Sequence, residues 1–238
     1  MVVVEAKKPV EWEKNLKKFM KMFIGSTENA KKTRILNPEV LDFETNSEGT
    51  FLAYSDSIIK IENNALGYDL DIVLEDFQAG GGKIRYIIDP QFIEKSANSP
   101  ETQNKWKMAR QNTFEGSFKH FLRSLAANRL EAEGFSLKSD CMRDQWNYTQ
   151  EGLNRHYSTK TITIFEKAEN IKITGILKFH HKSNFLTETA SFEILKDPAI
   201  MDTLGNILNQ YSILASGKWS EERIADLLPQ DYQMQKLH

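Results

Sequence analysis

The sequence predicts an α+β protein: antiparallel β-sheet with two principal amphipathic helices and a short C-terminal helix. Three observations predict it. Apolar residues recur at a helical period over Glu11–Ile24 and again over Glu101–Glu133. From Arg34 to about Lys95, and again beyond Lys160, the period falls to two. The strand candidates are separated by residues that tolerate positive φ, which reads as a meander of hairpins.

The first helix is expected over Glu11–Ile24. Trp12, Leu16, Phe19, Phe23 and Ile24 fall on one face, and Lys14, Lys17, Lys18 and Lys21 take much of the opposite one. Pro9 precedes the start and Gly25 suits the stop. A basic amphipathic helix can lie on a membrane surface. The simpler reading is a core-facing helix with a solvated lysine face.

Strands are expected at Phe51–Tyr54, Ile58–Glu62, Tyr68–Phe77 and Lys83–Ile88. Leu70, Ile72 and Leu74 alternate with Asp69, Asp71, Val73 and Glu75, so one face is buried and the other mostly wet. Asn63-Asn64 and Gly80-Gly81-Gly82 read as the turns. Ser99-Pro100 opens the second helix, with Phe114, Phe118, Phe121, Leu122 and Leu125 as its apolar stripe. Arg129 and Glu133 continue that stripe at i, i+4, so they are expected to pair at the core's edge. Gly116 sits beside the stripe and predicts a bend or a close backbone approach. Ser139–Lys160 reads as a loop. Strands return at Thr161–Glu166, Ile171–His180, Phe185–Ile194 and Ile207–Leu214. Trp219–Leu228 reads as a short helix that Pro229 closes. Residues 11–238 are expected to form one domain, with a two-lobe split near 136–160 as the alternative.

Composition excludes several classes. Of 238 residues, 40 % are hydrophobic and 27 % charged, which is too apolar and too balanced for a disordered chain. No apolar run approaches the roughly 20 residues of a spanning helix. A net charge of −2 offers no global basic field for nucleic acid. The single cysteine, Cys141, rules out an intramolecular disulfide and a multi-cysteine zinc site. Met1–Pro9 lacks the apolar core of an export signal.

Motifs for chemistry are weak. Ala79–Lys83 has glycines and a lysine without Walker spacing, and it joins two strands. His180 and His181 are adjacent, so in a strand they face opposite ways and cannot chelate one ion together. Cys141 has Arg143 nearby and His156 downstream, but sequence proximity shows neither a base nor a depressed pKa. Ser117 and His120 lie one turn apart on the expected polar face of the second helix, where a hydrolytic serine does not normally sit. Asp69, Asp71 and Glu75 read as a solvated face rather than a glycosidase pair. No cofactor and no metal site is expected.

One loop has the composition of an interaction site. Trp146, Tyr148, His156 and Tyr157 lie among polar residues, with Arg143 and Arg155 as the charged part. Trp, Tyr and Arg dominate the energetic centres of interfaces, and the rings could stack on sugars as well as on protein. The simpler alternative is that Trp146 and Tyr148 fold back to cap the domain's own core.

Several segments together resemble a known family. They are Trp12–Phe19 with Phe23–Gly25, Ile35–Phe43, Ile61–Tyr68, Leu74–Phe77, Phe114–Leu125 and Glu133–Phe135, and then Asp202–Asn206, Gly217–Trp219 and Arg223–Tyr232. Over nearly the whole chain the pattern resembles the large C-terminal region of Bacteroidetes proteins labelled carboxypeptidase-like regulatory-domain-containing. In that family a small β-sandwich, following an export signal, precedes this region. The resemblance implies that Val2–Ala6 is the trailing strand of such a domain and that residues 1–10 form its linker. It also implies a periplasmic or outer-membrane-periphery location. The family name comes from the sandwich and implies no peptidase activity. The expectation is therefore a non-catalytic binding or scaffolding module of the bacterial envelope. Its partner would be an envelope protein or glycan, with no nucleic acid and no transmembrane segment. A hydrolase with a non-local active site is the alternative.

Overall fold

In a computed structural model, the structure describes residues 10–127, 129–130, 132–138, 144–149, 152–157, 160–167, 170–174, 180–182, 190–196 and 199–234. The protein is α+β with antiparallel sheets. It divides into two units. One runs to Ala109 and takes back Arg223–Leu227; the other holds Arg110–Glu222 and the residues from Leu228 on. The stretch 136–160 lies wholly inside the second unit.

In the first unit, helix α1 (Val10–Phe23) buries Phe19 and Phe23 and leaves Lys14, Lys17, Lys18 and Lys21 exposed. The core-facing reading holds. Phe19 packs 4.9 Å from Phe77, Phe23 packs 5.6 Å from Tyr86, and the Trp12 indole donates to the Leu41 carbonyl at 2.7 Å. Lys18 is more than a solvated charge, because its amine sits 4.2 Å over the Phe51 ring.

The sheet beneath α1 comprises β1 (Thr33–Ile35), β2 (Leu41–Thr45), β3 (Phe51–Ser55), β4 (Ile59–Asn63), β5 (Tyr68–Gly80) and β6 (Lys83–Glu94). Its order is β1-β4-β5-β3-β2, with β6 along the other side of β5. The last two strands outrun the expected ends at Phe77 and Ile88. Gly81 and Gly82 both have positive φ, +58° and +74°, which lets two residues close the β5–β6 hairpin. Burial on β5 falls on Tyr68, Leu70, Ile72 and Leu74, then on Phe77 and Ala79. A register shift between Leu74 and Asp76 changes the parity, so both halves keep their apolar residues inward. Pro90 is confined to β6, the edge strand, where a missing N–H costs least.

Asn63 holds the β4–β5 turn from a fully buried position. Its Oδ1 accepts from the Ala65 and Leu66 N–H groups at 3.1 and 3.0 Å, and its Nδ2 donates to the Ala225 carbonyl at 3.0 Å. The Ala225 N–H donates to Ile24 at 3.2 Å. The Asp226 carboxylate accepts from Thr27 and Asn29, both at 2.9 Å. Ile224 and Ala225 are fully buried, so Arg223–Leu227 is part of this core. The expected C-terminal helix is instead two 3₁₀ turns, Lys218–Glu221 and Ile224–Asp226. The chain passes from one unit to the other between them, and Glu222 and Arg223 are extended there.

The expected second helix is two helices, α2 (Pro100–Phe114) and α3 (Phe118–Ala126). Gly116 adopts φ +75°, a left-handed conformation no helix continues through. Ser117 then caps α3, its hydroxyl accepting from the His120 N–H at 3.0 Å. Arg129 and Glu133 lie beyond the helix rather than on it.

Most of the other elements described in the second unit are strands. β8 (Asp144–Thr149), β9 (Gly152–Tyr157), β10 (Lys160–Lys167), β11 (Asn170–Thr174) and β14 (Ala199–Met201) form a sheet of order β14-β11-β10-β9-β8. β7 (Ser136–Lys138), β12 (His180–Lys182), β13 (Ala190–Ile194) and β15 (Ile213–Gly217) form another, of order β15-β13-β12-β7. The core gathers Phe121, Leu122 and Leu125 of α3 with Phe135, Phe192, Met201 and Trp219. Ser139–Lys160 is therefore not a loop: β8 and β9 occupy most of it. Trp146 and Tyr148 against Leu153, Arg155 and Tyr157 do alternate at period two.

Candidate functional site

Register alone places the sequence-predicted interaction residues. β8 pairs with β9 through Asp144↔Tyr157, Trp146↔Arg155 and Tyr148↔Leu153. Directly paired residues share a face. Trp146 is thus the register partner of Arg155, and Tyr157 lies at the other end of the hairpin opposite Asp144, while His156 is the partner of Gln145. The same alternation passes through Arg155↔Ile162 and Ile164↔Ile173, then reaches β14 at Ile173↔Ala199 and Ile171↔Met201. Ala199 and Met201 are fully buried. The hairpin forms the far edge of the sheet, four strands from β14, roughly 19 Å away. Arg143 and Cys141 lie outside the described residues.

A second cluster forms where α2 breaks. Phe114 and Phe135 flank the His120 ring, with centroids 4.9 and 4.8 Å away. His120 is only 7 % exposed, which corrects its expected place on a polar face. The backbone N–H of Gly116 donates to His120 Nδ1 at 3.1 Å, so Nδ1 carries no proton. The other nitrogen, Nε2, stands 3.5 Å from Glu133 Oε2, beyond an ordinary hydrogen bond. Glu133 is paired on its far side with Arg129 at 2.8 Å. Burial pushes the His120 pKa down, and the nearby Glu133 carboxylate opposes that only in part. The imidazole is neutral at ordinary pH.

Neither adjacent hydroxyl is committed to the imidazole. Ser117 caps α3, and Ser124 donates to the His120 carbonyl at 2.7 Å. The Ser117–His120 pair is a helix cap rather than a nucleophile with its base. Cross-strand pairing sets His180 opposite Lys138 and His181 opposite Leu137, on alternate faces of β12. Among the described residues, no group of three or more His, Cys, Asp or Glu side chains could hold a metal ion. No helix among them is long and apolar enough to cross a membrane.

Sequence reasoning passed over Arg123. Its Nε donates to the Leu204 carbonyl at 2.7 Å, one Nη to Gln230 at 2.7 Å and the other to Tyr232. The Asp202 carboxylate ties its own loop by accepting from the Leu204 and Asn206 N–H groups, both at 2.8 Å. Segments far apart in sequence, Asp202–Asn206, Gly217–Trp219 and Gln230–Tyr232, thus converge on α3. The only sequence signal for this was Arg123 lying beside an aromatic stripe. No family model, no curated protein and no solved structure matches the chain.

Proposed function

We propose that this chain is a non-catalytic binding or scaffolding module of the bacterial cell envelope, at the periplasm or outer-membrane periphery. Its partner would be an envelope protein or a glycan. The location rests on the resemblance to the Bacteroidetes carboxypeptidase-like regulatory-domain proteins. The observation that supports the binding reading is the β8–β9 hairpin at the outer edge of a five-stranded sheet, whose two strands carry Trp146, Tyr148, Arg155 and Tyr157. Aromatic rings and guanidinium groups in one patch suit either a protein hot spot or a sugar face.

The test is affinity capture from envelope fractions with the unaltered chain, Trp146→Ala and Tyr157→Ala. The expected result is a protein or glycan recovered by the first and lost by the variants, with each fold intact by circular dichroism. Equal recovery by all three removes the hairpin as the site. A parallel scan of ester, peptide and glycoside substrates, with and without zinc, tests the absence of catalysis. Turnover abolished by His156→Ala or Cys141→Ala would replace this reading with a hydrolase.

A further inference from the structure

Five residues leave the second unit to complete the first. Glu222 and Leu228 belong to the second unit, and Arg223–Leu227 between them to the first. The segment carries its own turn, with the Asp226 N–H donating to the Arg223 carbonyl at 2.9 Å and the Leu227 N–H to the Ile224 carbonyl at 3.2 Å. A matched set of groups on the first unit receives it. Asn63 and Ile24 take both backbone groups of Ala225, at 3.0 and 3.2 Å, and Thr27 and Asn29 both donate to the Asp226 carboxylate at 2.9 Å. Ile224 and Ala225 lose all exposure. Both sides of this contact are held by other bonds. Asn63 is fixed through a separate atom, its Oδ1, which accepts from Ala65 and Leu66, so its donor stays aimed. At the base of the segment, Glu222 accepts from the Phe118 N–H at 3.0 Å, and Arg123 donates to the Gln230 carbonyl at 2.7 Å and to that of Tyr232. The segment is a loop tied at its base, and little ordering is left to do when it docks.

We infer that the first unit of one copy accepts Arg223–Leu227 from a second copy of the chain. The contacts above fix the occupant, because an identical segment brings identical groups. Exchange of one element between two copies is a low-cost route to a dimer, since each bond broken within a chain is remade between chains. Each copy has one receiving surface and one segment, so reciprocal exchange closes as a two-fold dimer. Within one chain the segment is present at an effective concentration on the order of millimolar. Its own chain therefore wins at dilution, and exchange takes over where chains are crowded or the internal contact is weakened. This inference goes beyond the partner reading above and involves none of the β8–β9 residues.

Two complementary variants of the full chain, studied by sedimentation velocity over a dilution series, test it. Ile224→Ser/Asp226→Ala spoils the segment and keeps the receiving groups. Asn63→Asp/Thr27→Val keeps the segment; the new carboxylate still accepts from Ala65 and Leu66 but offers the Ala225 carbonyl no donor. Each variant alone is expected to sediment as a single chain. Their equimolar mixture is expected to double in mass, because the intact segment of one meets the intact surface of the other. The mixture is also expected to melt above either variant, as a bound partner stabilises the folded state. Where circular dichroism shows that Asn63→Asp does not fold, Thr27→Val/Asn29→Ala takes its place and leaves Asn63 untouched. A mixture that stays at the mass of one chain, with both variants folded, overturns the inference, because the segment then serves only its own chain. Dimers of either variant alone overturn it too, since the contact between copies would then lie elsewhere.

Discussion

The indole N–H of Trp219 donates to the carbonyl of Gly116 at 2.9 Å, and so ties the break between α2 and α3 to a side chain that is itself 2 % exposed. The same ring lies 4.8 Å from Phe121 and 5.1 Å from Phe118. Trp219→Phe keeps much of the apolar contact and loses the hydrogen bond, with an expected cost of about 1–2 kcal/mol. Trp219→Ala is expected to cost about 3–5 kcal/mol by cavity formation. Urea unfolding monitored by far-UV circular dichroism measures both. Equal effects would mean that the ring's packing adds nothing beyond the bond, and an unchanged stability in Trp219→Phe would mean that the bond adds nothing.

Gly67 is a position where only glycine fits. Its φ is +70°, and a Cβ there would stand 2.2 Å from the Trp106 ring. Gly67→Ala is expected to cost more than about 3 kcal/mol, from backbone strain plus steric overlap. In a Trp106→Ser background only the strain persists, about 1–2 kcal/mol. A double-mutant cycle by thermal unfolding separates the two contributions.

Protonation of His120 should destabilise the corner it closes. Its pKa lies below the ordinary 6.5 in the fold, chiefly through burial. Between that lowered value and 6.5 the unfolded chain binds more protons, so stability is full above about 6.5 and falls as pH drops toward the folded pKa. Glu133 and Glu115 face the ring as anions and Arg123 as a cation, and the balance still favours the neutral form. The charged imidazole would also set N–H against the Gly116 N–H. His120→Gln keeps an acceptor and removes the titration, so its stability curve should be flatter between pH 5 and 7. A slope identical to that of the unaltered protein would assign the acid sensitivity elsewhere.

Lys119 carries the opposite kind of cost. Burial first, and Arg123 second, push its amine down to about 8. The unfolded chain binds more protons between about 8 and 10.5, so this group adds stability as pH rises through that window and none at neutral pH. Lys119→Met is expected to raise the melting temperature by about 2–4 °C at pH 7, with the gain shrinking as pH climbs. Heteronuclear NMR of the lysine amines reads the midpoint directly. A Lys119 midpoint above 10 would contradict the burial argument.

The sequence showed some of this plainly. The stripe Trp12–Leu16–Phe19–Phe23 marked α1 because burial on one side enforces the period. The glycines at 80–82 marked a hairpin because two consecutive positive φ values demand them. The bulge at Glu75–Asp76 was invisible, since two neighbouring acids carry no sign of a change in parity. β8 and β9 were legible in principle, but Asn, Gln and Asp between the rings masked the alternation. Gly116 in a helical stripe implies a bend or a close approach, and the full break comes from its positive φ together with the cap that Ser117 adds. The β8–β9 hairpin was half legible: spacing put Trp146 and Tyr148 on one strand, whereas only strand register pairs Trp146 with Arg155 and Gln145 with His156. Arg123 was legible only as a cation beside the aromatic stripe, because its partners are carbonyls, which any residue supplies.

Asn63 accepts from its own turn and donates to Ala225, and that bond links ribosomal timing to folding. Translation proceeds from the N-terminus at roughly 5–20 residues per second, so the partner of Asn63 is made about 10–30 s later. Until then the six-stranded sheet exists without Ile224 and Ala225 and keeps an open seam. Nearly all of the second unit has been synthesised by that moment. The first unit to emerge therefore stays incomplete until most of the second has been made, and a nascent chain stalled before residue 223 would present to chaperones a sheet with its apolar seam uncovered.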